Sequence, residues 1–137
     1  VGTVFFSADV ANPDTYTKFY ADMQMDTVTM TQADPQLFMN QFVSWEVARR
    51  SNNWQGRNLT RWRSEEYDRI FREASGELDP VKRAALFIRM NDLIVGSNHI
   101  IPLVSRPLVS ASLNNLNHVL SPWDTTLWLL RDWWRSS

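Results

Sequence analysis

Residues 52–101 read NNWQGRNLTRWRSEEYDRIFREASGELDPVKRAALFIRMNDLIVGSNHII, and the punctuation of this stretch decides the fold. It opens as a polar, Trp-bearing loop and continues as two helices and a strand. Ser64 is placed to cap the first helix, with Glu65 and Glu66 at the positive end of its dipole. Tyr67, Ile70, Phe71 and Ala74 fall at i, i+3, i+4 and i+7, one buried stripe. Gly76 is expected to end that helix, because glycine tolerates the left-handed conformation after a C-cap. Asp79-Pro80 restarts a helix: the carboxylate accepts from orphan N–H groups, and proline sits where no N–H is needed. Leu86, Met90, Leu93 and Ile94 form the second stripe, and Gly96 closes it.

Working outward, residues 2–6 (GTVFF) are a short apolar run with β propensity. Asn12-Pro13-Asp14 predicts a helix start, with Tyr16, Phe19, Tyr20 and Met23 following at helical spacing. Residues 26–30 (DTVTM) alternate polar and apolar, the signature of a strand with one buried face. Asp34-Pro35 is a turn that primes another helix, expected to run to about Arg50 with Phe38, Phe42 and Trp45 on one face. Beyond the hairpin, residues 100–104 and 108–111 read as extended segments around Arg106-Pro107. Residues 113–120 are ambiguous, Ser121-Pro122-Trp123-Asp124 is a turn, and residues 127–134 are an apolar closing segment that must dock on something. The succession β-α-β-α, αα, β is an α/β or α+β arrangement.

A chain of 137 residues with 44% apolar content and seven Trp has the material for one core. With 14 basic and 15 acidic residues its net charge is −1, so there is no electrostatic case for nucleic acid or an anionic membrane surface. No Cys is present, which excludes disulfides and thiolate chemistry and leaves the compartment open. No apolar run approaches the roughly 20 residues of a membrane span. The opening residues 1–6 read like the middle of a strand, so the chain is expected to be a piece of a longer protein.

Direct enzymatic signals are absent. The carboxylates Asp34, Glu46, Glu65, Glu66 and Asp68 are not spaced to enforce two groups facing one another across roughly 5–10 Å, as glycoside hydrolysis requires. His99 and His118 are isolated, so no protein-built metal site is expected. No Ser lies in a G-x-S-x-G elbow, and Gly is too scarce for a phosphate cradle. Asn58-Leu59-Thr60 is formally a glycosylation acceptor, a pattern too common to weigh. Trp54 and Trp62, flanked by Arg57, Asn58, Arg61 and Arg63, have two readings. Either both rings plug the loop onto the core, the favoured reading because Trp is mostly buried, or they form a flat platform with Arg and Asn as orienting donors. Trp45, on a helical stripe, belongs to the core. Trp123, Trp128, Trp133 and Trp134 are suited to covering apolar surface elsewhere in a parent protein.

Four segments then come in a fixed order: Asn58-x-x-Arg61-Trp62, Glu66-Tyr67-Asp68, residues 78–87 (LDPVKRAALF), and Ile100-Ile101-Pro102-Leu103. Together they resemble the C-terminal part of the family 5 extracellular solute-binding proteins, which serve ABC importers of peptides and nickel. The resemblance covers about residues 30–109 and runs more loosely to both ends. It implies an α/β fold: a fragment of a two-lobed, type II-like periplasmic-binding-protein architecture that closes on its ligand at a hinge. Residues 1–98 would belong to the second lobe; residues 99–137 would form the crossover strand and the C-terminal segment returning to the first. The family's ligand segment matches residues 29–35, with Thr31, Gln32 and Asp34 as candidate contacts, and Asn58, Arg61 and Trp62 match the family's turn near the cleft. In peptide binders an Asp a few residues before the proline holds the ligand's ammonium. Here Asp34 directly precedes Pro35, and Thr31 and Gln32 stand earlier. That departure counts against recognition of a free peptide N-terminus and leaves a modified peptide or an uncharged polar ligand, such as an oligosaccharide, in play.

The implied function is the substrate-binding component of an importer, at the periplasmic or extracellular face of the cytoplasmic membrane. It would capture an oligopeptide or similar polar solute, without a cofactor or catalysis, and deliver it to an ABC permease. The competing reading is a protein-interaction module that docks through its Trp-rich C-terminal segment. An enzyme ranks third.

Overall fold

Two helices with chemically marked ends carry the packing. In a computed structural model, residues 2–7, 9, 12–30, 32–105, 107, 109, 111–118 and 129–136 are described. Helix α3 spans Glu65–Gly76 and helix α4 Pro80–Gly96; the shorter α1 (Gly2–Phe5) and α2 (Gln36–Met39) precede them. The Ser64 hydroxyl accepts from the Tyr67 N–H at 3.2 Å. The Asp79 carboxylate accepts from Val81 and Lys82 N–H groups at 2.9 and 3.3 Å, so both predicted caps form. Such a cap stabilises its helix by about 1 kcal/mol.

The predicted stripes meet. Tyr67, Ile70, Phe71 and Ala74 of α3 are buried against Phe87, Met90 and Ile94 of α4, with Leu86 and Leu93 partly buried at the margin. Each fully buried large side chain contributes roughly 1.5–3 kcal/mol. Helix α2 contacts both, and it and the 3₁₀ turn after it place Met39 and Phe42 in the same cluster. The Tyr67 hydroxyl donates to the Met39 carbonyl at 2.8 Å, and burial pushes its phenol well above the usual tyrosine range. Arg83 adds a side-chain cap, its Nε donating to the Ala74 carbonyl near the end of α3.

Helix ends depart from expectation in one respect. Gly76 and Gly96 close their helices without entering the left-handed region; Glu77 leaves α3 in extended geometry, and Asn98 takes the positive φ, 59°, after α4.

The segments before α3 differ more. Residues 2–5 form a helical turn in place of the expected strand. Residues 13–18 make turns, and Phe19 carries a φ of 41°, which no helix admits. Residues 26–30 join no ladder among the described residues, so the strand expected there does not form. The helix expected from Asp34-Pro35 to Arg50 starts on schedule and stops after one turn. It passes through 3₁₀ turns at Asn40–Phe42 and Ser44–Glu46, separated by Val43 at φ −72°, ψ 147°. Two distant side chains account for the break. The Asn58 amide donates to the Val43 carbonyl at 3.1 Å, and the Asp68 carboxylate accepts from the Ser44 N–H at 2.9 Å. The Ser44 N–H is thereby drawn to α3, and the Val43 carbonyl is shared between Asn58 and the Glu46 N–H at 3.2 Å. Trp45 is consequently 43% exposed rather than core, packed edge-on against Phe71 with the Arg72 guanidinium over its ring.

Past α4, Ile100 packs on the core, while Ile101, Leu103 and Val104 stand exposed without strand pairing among the described residues. Strands β1 (Leu116–Asn117) and β2 (Trp134–Arg135) pair antiparallel, Leu116 opposite Arg135 and Asn117 opposite Trp134. This ribbon uses part of the apolar closing segment. The turn expected at residues 121–124, with Trp123, and the start of the closing segment, with Trp128, lie outside the described residues.

Candidate functional site

The loop between the broken helix and α3 is built by main-chain pairing at close quarters. The Asn58 N–H donates to the Glu46 carbonyl at 2.8 Å, and the Ala48 N–H to the Asn58 carbonyl at 3.1 Å, giving a parallel bridge between Val47 and Asn58. Gly56 must run directly over this bridge: a Cβ there would sit 2.2 Å from the Glu46 carbonyl oxygen and 2.7 Å from the Ala48 nitrogen. Asn52 secures the near end, its side chain donating to the Val47 carbonyl and accepting from the Arg49 N–H, each at 2.9 Å.

This loop forms one wall of an open cavity of about 760 Å³, within the usual size range of small-molecule sites. Residues 26–30 with Gln32 and Asp34 border it elsewhere, as do Phe38 and Gln41, and Trp54 and Gln55 face it from the loop. Asp34 is fixed in place. Its carboxylate accepts from the Gln36 N–H at 2.9 Å and pairs with the Arg83 guanidinium at 3.0 Å, which also donates to the Gln36 side chain at 2.7 Å. Slight burial pushes the Asp34 pKa upward, but the Gln36 N–H and the Arg83 charge outweigh it and hold the carboxyl below the usual aspartate value.

The six residues singled out from the sequence divide. Gln32 and Asp34 line the cavity. Thr31 lies outside the described residues. Asn58 is fully buried, and its amide is committed to the fold: it donates to the Val43 and Trp62 carbonyls and accepts from the Thr60 hydroxyl at 3.0 Å. Trp62 takes the core option, 8% exposed and edge-on to Tyr67 with ring centroids 5.2 Å apart. Arg61, at φ 57°, donates to the Lys18 and Phe19 carbonyls and sets its guanidinium 5.8 Å from the centre of the Trp54 ring.

Trp54, the other tryptophan of the loop, lines the cavity. It is half-buried, with Tyr20 edge-on at 6.3 Å. The neutral side chains Gln41, Asn53 and Gln55 of the same cavity carried no recognisable signal, since isolated amides occur throughout polar loops. Arg83 was legible only as a motif position and proves to be the partner of Asp34.

Among the described residues no group of three His, Asp or Glu side chains gathers to hold a metal ion. No helix there is long and apolar enough to cross a membrane. Comparison with protein-family models, curated proteins and solved structures finds no match to this chain. The resemblance to solute-binding proteins thus rests on the residues that carry it.

Proposed function

We propose that this chain is part of a family 5-like, two-lobed α/β solute-binding protein, residues 1–98 belonging to the second lobe and residues 99–137 returning to the first. At the periplasmic or extracellular face of the cytoplasmic membrane it captures an oligopeptide or similar polar solute and delivers it to an ABC permease in that membrane. The observation that carries the reading is the cavity lined by residues 26–30, Gln32 and Asp34 and by residues 53–57 and Leu59 of the loop. It brings the acidic, proline-containing turn, where the resemblance puts ligand contacts, opposite a loop that bears an aromatic platform. Arg83 anchors that turn to α4, so the ligand segment sits on a rigid support. The cavity is open, as capture by closure requires: a ligand favours the closed state only through contacts that the open state lacks.

The test is on the parent protein, purified without unfolding and then denatured, with mass spectrometry of what it releases. Stoichiometric release of a small polar solute is expected, and the isolated chain should bind that solute far more weakly. Micromolar affinity in the isolated chain would sink the two-lobe reading. The interaction-module reading draws on Trp134, 61% exposed on the β1–β2 ribbon. Release of no solute, together with a protein partner lost in Trp134→Ala, would favour it.

A further inference from the structure

Trp54 is held at some cost. Asn53 and Trp54 have consecutive positive φ values of 52° and 60°, uncommon for residues with a Cβ and most of all for a bulky one. Such strain persists only where the surroundings over-determine it. Here they do. The two N–H groups donate to the Arg50 and Arg49 carbonyls at 3.2 and 3.0 Å, Gly56 admits the tight return of the loop, and Arg61 and Tyr20 bracket the indole. The result is a fixed flat ring on a cavity wall.

Around that ring the available chemistry is mostly neutral. Thr29, Gln32, Gln41, Asn53 and Gln55 contribute hydroxyl and amide groups, each able to donate and accept. The carboxylate of the acidic turn is engaged: Asp34 is paired with Arg83. A free peptide would need a carboxylate placed for its ammonium, and the one at the turn where the resemblance puts ligand contacts is already answered. A pyranose needs something else: a flat surface for its apolar C–H face, and mixed donors and acceptors for its rim of hydroxyls.

Resting on the solute-binding reading above, we propose that the ligand class is a neutral oligosaccharide, with one sugar ring stacked on Trp54 and its hydroxyls bonded by the amide side chains, Gln32 among them. Arg61 acts as a positioning residue that braces the indole.

The experiment uses the intact parent protein, freed of bound solute, with an array of short neutral oligosaccharides and with trialanine as the peptide probe, followed by calorimetry on any probe that binds. Binding of at least one oligosaccharide is expected. Trp54→Ala should weaken it by about tenfold or more, and Trp54→Phe should recover much of the loss. Gln32→Ala, at an exposed position that leaves folding untouched, should weaken it by a smaller factor. Binding of trialanine without any oligosaccharide overturns the sugar assignment and leaves the solute-binding reading standing. Sugar binding indifferent to both Trp54→Ala and Gln32→Ala overturns the assigned site. Failure of every probe, while the native protein still releases a solute of another class, also overturns the sugar assignment; no released solute at all removes the reading beneath it.

Discussion

Asn58 shows how one amide organises its surroundings. Its side chain ties Val43, fifteen residues earlier, to Trp62, four residues later, within the core. Removing it takes this donor from the Trp62 carbonyl and leaves the Val43 carbonyl with the Glu46 N–H at 3.2 Å; an unmet buried carbonyl costs roughly 1–3 kcal/mol. Asn58→Ala should therefore destabilise the chain by roughly 1–3 kcal/mol in urea denaturation. Asn58→Asp should be worse at neutral pH, since it turns a carboxylate toward the carbonyls the amide serves. A stability equal to wild type in Asn58→Ala, with only ligand affinity reduced, would return Asn58 to the role of direct contact that the motif implied. Asp34 differs: its bonds to Gln36 and Arg83 leave it on the cavity border, so it shapes the site while its charge is already answered.

At the scale of elements, what was legible followed how locally each feature is determined. Caps at Ser64 and Asp79 act over three residues, and the α3 and α4 stripes repeat within one helix, so both were readable. The helix expected to reach Arg50 was not, because the groups that break it, Asn58 and Asp68, lie fifteen and twenty-four residues away from the Val43 and Ser44 atoms they bind. The aromatic spacing of Tyr16, Phe19, Tyr20 and Met23 misled for a related reason: Tyr20 and Met23 are 70% and 75% exposed, and without a surface to bury, helical spacing stabilises no helix. Of the candidate site, the acidic turn and the Trp-bearing loop were legible; which tryptophan faced the cavity was not. That choice is set by the close pass of Gly56 over residues 46–48. Gly56→Ala should push the loop off this bridge, costing roughly 1–3 kcal/mol as overpacking does. Its mark would be a changed near-ultraviolet signal from the tryptophans with helical far-ultraviolet ellipticity retained. A variant with an unaltered urea midpoint and an unaltered near-ultraviolet spectrum would mean that the loop does not run this close.

Across the whole molecule, apolar surface is unevenly covered. The hairpin core is closed, yet Ile101, Leu103, Val104 and Val109 are 61%, 71%, 79% and 86% exposed, and Val81 and Ile88 on the outer side of α4 are 77% and 63% exposed. The segment 101–104 joins no strand among the described residues, and its apolar side chains stand out together. Natural folds normally cover an exposed apolar run of this kind. In the proposed parent protein, residues 99–137 cross to the first lobe and this segment is covered there. The chain alone lacks that cover. It should bind a hydrophobic reporter dye and self-associate as its concentration rises in sedimentation. Leu103→Ser with Val104→Ser should reduce both effects, and the urea midpoint of the hairpin should hold, because neither side chain belongs to the buried cluster. A chain that stays monomeric and dye-free at high concentration would show that the segment needs no partner, and the crossover assigned to it would fall.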